Sequence, residues 1–168
     1  MARVTVPFGA QEIQYCALLA ERRNVVKAVH GVRSSRHHTQ RSDFELHLIG
    51  LMGEYAVAKY LSIKVDIAVS LSGDDKVSDL IQGDHKVQVT TRLPQRPPLY
   101  LYFNSMDLFK ADRTVCALVS SPALVEILGW ISRKQFKALA RPMDFGYGGR
   151  VGVTEAQLNE MRDWRHDK

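Results

Sequence analysis

The chain has 168 residues, the size of one ordinary domain, and 45% of them are hydrophobic, enough for a core. No apolar run approaches the ~20 residues of a membrane-spanning helix, and Met1-Ala2-Arg3-Val4 lacks the apolar stretch of a signal peptide, so a cytoplasmic protein with no membrane association is expected. A formal net charge of +5 leans towards a polyanionic partner.

The segment from about residue 10 to 30 reads as a helix. Its apolar residues recur at Ile13, Cys16, Ala17, Leu19 and Ala20, then Val25, Val26 and Val29, and Gly31 can end it. The following stretch, about residues 33–41, is polar, basic and aperiodic, so it reads as a loop. Two roles stay open for it. It is a solvated connector, or it contacts phosphate through Arg33, Arg36 and Arg41. The adjacent His37 and His38 read as polar surface.

Ser42 and Glu45 form a capping-box pattern, which starts a second helix running from Asp43 to about Leu61. Leu46, Ile49, Met52, Gly53, Ala56, Val57 and Tyr60 give it an apolar face, with Glu54 in the middle. Gly50 and Gly53 each cost roughly 1 kcal/mol of helix propensity relative to alanine. Their presence suggests close packing of another backbone.

The period then changes. Strands are expected over 65–69, 78–82, 86–92, 99–103, 114–120 and 125–131, with turns at 72–76 and Gly83-Asp84. Short helices are expected after Ser132 (with Gln135) and Thr154 (with Gln157), separated by a flexible loop at 146–150. The order is helix, helix, about six strands, two short helices. That predicts one α+β domain over residues 1–168, with a central mixed or antiparallel sheet flanked by helices. Tyr100 and Tyr102 share a strand face, where sheet packing competes with base stacking. Trp130 is expected in the core, as are Cys16 and Cys116 as free thiols. Neither cysteine pairs with a histidine at zinc-finger spacing.

The chemistry is concentrated around the hairpin. Alternate residues of a strand share a face, so Lys86, Gln88, Thr90 and Arg92 point one way while Val87 and Val89 point the other. Asp79 precedes the turn, and Glu54 approaches from the helix. Two carboxylates and one amide oxygen suit a hard divalent cation, which could activate water at a phosphate. The alternative is that both carboxylates serve polar surface positions.

Several segments occur together in order: 53–61 (GEYAVAKYL), Ser78-Asp79-Leu80, 87–92 (VQVTTR) and 125–133 (VEILGWISR). Together they resemble the PD-(D/E)XK nuclease superfamily, particularly its small single-domain phage and prophage members. The resemblance covers most of the chain from Ser42 onward. It implies a restriction-endonuclease-like core, with Glu54 as the helix carboxylate, Asp79 as first metal ligand and Gln88 at the (D/E) position. All three would surround magnesium, or manganese in its place. Thr90 stands where the family's lysine is expected, and a hydroxyl cannot supply that positive charge. Lys86, on the same polar face, is the candidate substitute. Arg92, on the other side of Thr90, is a poor proton carrier and reads instead as a nucleic-acid contact. The resemblance thus implies a metal-dependent DNA nuclease of weak activity, or a degenerate fold that binds nucleic acid or a protein without cleaving. A homodimer is the assembly many relatives adopt.

Overall fold

A computed structural model of the chain describes residues 2–29, 41–65, 78–95, 98–144 and 149–165. Its elements are β1 (Val4–Pro7), α1 (Ala10–Val29), α2 (Asp43–Leu61), β2 (Leu80–Gln82), β3 (His85–Arg92), β4 (Tyr100–Phe103), β5 (Arg113–Ser121), β6 (Leu124–Ser132), α3 (Arg133–Leu139), β7 (Arg141–Asp144) and β8 (Gly149–Thr154). The expected loop at 33–40, the turn at 72–76, most of the strand expected at 65–69 and residues 146–148 of the glycine-rich loop lie outside the described residues.

The fold is α+β. A mixed five-stranded sheet has the order β1-β6-β5-β3-β2, and a three-stranded antiparallel sheet has the order β4-β8-β7. Within the larger sheet β3 runs parallel to β5, and the other neighbours are antiparallel. Helices α1 and α2 cover one face. Leu51, Met52, Ala56 and Val57 of α2 pack there against Leu80, Val87, Val115 and Ile127 of the strands. The opposite face meets the smaller sheet and α3 through a second cluster that includes Leu101, Phe103, Phe109, Cys116, Leu118, Phe136 and Val153. The larger sheet is therefore buried on both sides, which explains the nearly unbroken burial of β5 and β6.

The local signals act as the sequence predicts at two helix starts. Ser42 Oγ accepts from Glu45 N–H, and the Glu45 carboxylate accepts from Ser42 N–H at 2.8 Å. Ser132 and Gln135 make the same reciprocal pair at α3. At Thr154 the capping box also forms, but it opens only a single 3-10 turn, Glu155–Gln157. The chain must then extend, because Asn159 exchanges two backbone hydrogen bonds with Trp130, at 2.8 and 3.0 Å. Three strands go beyond the sequence expectation: β1, β7 and β8. β1 and β7 are four-residue edge strands that carry Pro7 and Pro142, which an edge tolerates. β8 takes in Gly149 and Arg150, where the sequence reads as loop.

Trp130 fills the core edge-on against Trp164, with ring centroids 5.2 Å apart, and its indole N–H donates to the Glu160 carbonyl. Both cysteines are buried free thiols. Burial pushes Cys116 up from 9.0 to about 11, with the nearby Arg92 opposing the shift. Burial, with Glu12 and Glu54 adding to it, likewise takes Cys16 to about 11. The folded state thus keeps protons that the unfolded chain releases. The stability from the neutral thiols is complete below pH 9 and is lost as pH rises from there through about 11. Each thiol should steepen the alkaline loss by about 1.4 kcal/mol per pH unit. Urea denaturation across this window should show a shallower slope in Cys116→Ala than in wild type; identical slopes would refute the assignment.

Candidate functional site

The β2–β3 hairpin builds the region singled out by the sequence. Gly83, at φ 58°, supplies the left-handed turn residue, and Leu80, Ile81 and Gln82 pair with Val87, Lys86 and His85. Val87 and Val89 join the core under α2, and Thr91 lies against Gly53 of that helix. Strand alternation therefore sends Gln88, Thr90 and Arg92 out of β3 on the face away from α2. Their parallel neighbours on β5 are Thr114, Cys116 and Leu118, of which Cys116 and Leu118 belong to the second core.

Asp79 flanks this stretch. Its N–H donates to the Val87 carbonyl at 3.0 Å, and its Oδ2 accepts from the Val89 N–H at 2.7 Å. The carboxylate thereby supplies an acceptor to β3 just before β2 begins. The structure brings Asp79 to the residues on either side of Gln88. Among the described residues Gln88 Oε1 is a buried acceptor with no donor, and its neighbour Thr114 Oγ1 is buried with no partner. Such orphaned oxygens cost free energy unless a water, a cation or a ligand meets them. Lys86 is exposed at the solvent end of the strand, where its backbone is held by Asp112 through two hydrogen bonds of 2.8 and 2.9 Å.

Glu54 has a different setting. It is buried on α2, and both carboxylate oxygens accept from Arg23 of α1, at 3.3 and 3.1 Å. Magnesium demands a shell of oxygen ligands at short, near-octahedral distances. As arranged, Asp79 and Gln88 offer it one carboxylate and one amide oxygen, while Glu54 is engaged by a guanidinium. Among the described residues no group of three or more His, Cys, Asp or Glu side chains is placed to hold a metal ion.

Arg92 reaches the smaller sheet. Its Cζ sits 3.9 Å from the Tyr102 ring centroid and its Nη2 donates to the Tyr102 carbonyl at 3.4 Å. Arg150 covers the same ring from β8, at 4.7 Å. The sequence reading places Arg150 in a flexible loop. The signal that it belongs to a strand is the alternation Arg150, Gly152, Thr154 with Val151 and Val153. Of the basic loop, Arg33 and Arg36 lie outside the described residues. Arg41 is exposed, 3.8 Å from Glu45 on the next turn.

Comparison of the chain with protein-family models, with curated proteins and with solved structures returned no match. No helix among the described residues is long and apolar enough to cross a membrane.

Proposed function

We propose that this chain is a nucleic-acid-binding module on a nuclease-like scaffold that lacks the charges for efficient phosphodiester cleavage. The observation that carries the reading is the Arg23–Glu54 pair: the helix carboxylate expected at a nuclease centre is neutralised by a neighbour inside the fold. Thr90, in place of a lysine, removes a second charge. The net charge of +5 supports a polyanionic partner, with DNA the expected one. A metal-dependent nuclease, with Asp79, Gln88 and Glu54 around magnesium and Lys86 as the substitute cation, is the second reading. One observation favours it: Gln88 Oε1, in the residue before the Val89 that Asp79 bonds, has no donor among the described residues and is an oxygen that a cation would satisfy.

The two readings separate in one experiment. Binding of a labelled DNA duplex and a single strand is followed by anisotropy in chelator, and cleavage is followed with magnesium or manganese. The module reading expects metal-independent binding that weakens steeply between about 50 and 200 mM salt, as counterion release requires, with cleavage at background. It also expects Thr90→Lys alone to leave cleavage at background. Robust metal-dependent cleavage by the wild type, lost in Lys86→Ala, would establish the nuclease reading instead.

A further inference from the structure

Two arginines share one aromatic ring at the seam between the sheets. Arg92 leaves the larger sheet and Arg150 the smaller one, and both guanidiniums lie over Tyr102. All three residues are half-buried. Among the described residues neither guanidinium has a carboxylate partner. Glu155, next to the end of β8, is already taken by Arg3, with contacts of 2.9 and 3.1 Å. Arginine does not shed its proton at any ordinary pH, so the two charges persist. Arg92 Nε is in addition buried with no acceptor among the described residues. Two half-buried like charges over one ring, one of them also donating to a backbone carbonyl, are costly for the protein alone. A multivalent oxyanion would relieve it, and the guanidinium fork matches phosphate oxygens two at a time.

From this geometry we infer that Arg92 and Arg150 form a phosphate-binding site organised by Tyr102. Its ligand is the phosphate of a nucleic-acid backbone or the terminal phosphate of a free nucleotide, which present the same chemistry to the guanidiniums. The inference deepens the nucleic-acid reading, and its oligonucleotide arm rests on that reading. It also assigns Tyr102 a role: with guanidinium over its ring, it orients cations and does not stack on a base. Contacts of this kind position a strand without reading its sequence.

The test uses the full chain and two probes, a fluorescent thymidine oligonucleotide and thymidine monophosphate, each titrated into wild type and variants. Arg150→Ala and Arg92→Ala should each weaken binding about tenfold or more, as loss of a charged hydrogen bond does. In the oligonucleotide arm each should also lower the salt slope by about one and act alike on mixed-sequence DNA. Arg92→Lys keeps the charge and loses the fork, so it should fall between wild type and Arg92→Ala. Tyr102→Phe should bind as wild type, and Tyr102→Leu should bind more weakly. Circular dichroism checks folding, and Arg150→Ala, outside both buried clusters, keeps the test valid if Arg92→Ala folds poorly. Loss in the oligonucleotide arm assigns the backbone phosphate; loss confined to the monophosphate arm assigns a free nucleotide and sinks the nucleic-acid reading while sparing the site. Wild-type affinity for both probes in folded Arg150→Ala and Arg92→Lys would overturn the site, as would binding of neither probe by wild type.

Discussion

Gly53→Ala is expected to destabilise the protein by about 2 kcal/mol, even though alanine is the better helix former by about 1 kcal/mol. A Cβ at this position would overlap Thr91 Oγ1 and come within 2.9 Å of Thr91 Cβ and Cγ2. Thr91 is β-branched, and its backbone is fixed in the β3–β5 ladder opposite Ala117, so the strand has little room to yield. Among the described residues nothing lies within 4 Å of where a Cβ at Gly50, one turn earlier, would stand. Gly50→Ala should therefore stabilise by up to about 1 kcal/mol, from helix propensity alone. Urea denaturation of the two variants should thus shift in opposite directions. Adding Thr91→Ala to Gly53→Ala should recover part of the loss, since it removes two of the three crowding atoms. Equal stability of Gly53→Ala and wild type would contradict the packing of α2 on β3.

Removing Arg23 should have a comparable or larger effect. The Glu54 side chain is only 11% exposed, and Arg23 is its ionic partner. Arg23→Ala strands a buried carboxylate and is expected to cost about 3 kcal/mol, the lower end for breaking a buried pair because Arg23 itself is 22% exposed. Glu54→Gln should cost less, since the arginine can turn towards solvent and the amide still accepts one hydrogen bond. Exchanging both residues for apolar ones, Arg23→Met with Glu54→Leu, should come out near neutral, because desolvation of the pair disappears with it. The same series bears on function. If Glu54 serves the fold, Glu54→Gln lowers the denaturation midpoint and leaves DNA affinity unchanged. Metal-dependent cleavage that vanishes in Glu54→Gln would return the residue to a catalytic role.

Much of the local structure was legible. The 3.6-residue recurrence of Ile13, Cys16, Leu19 and Ala20 specifies α1, and two capping boxes place the starts of α2 and α3. The alternation through Lys86–Arg92 correctly separates the α2-facing valines from the polar face. The two glycines of α2 look equivalent in the sequence, yet among the described residues only a Cβ at Gly53 would meet a neighbour. That difference depends on where Thr91 of a distant strand falls.

What the sequence alone determined is what short-range physics sets: helix periodicity, caps, the hairpin turn at Gly83, strand faces and the burial of Cys16, Cys116 and Trp130. The tertiary structure decided which faces meet. The short edge strands β1 and β7 carry prolines and too few residues for a periodic signal, so only pairing with β6 and β8 reveals them. Glu54 sits on an apolar helix face whatever its role, and the Arg23 partner comes from α1, 31 residues away. Arg150 and Arg92 both meet Tyr102 because β8 pairs with β4 and because Arg92 reaches across the seam between the sheets. Long-range pairing energies of this kind depend on the whole packed arrangement, and no local pattern of charge or hydrophobicity encodes which partner will be there.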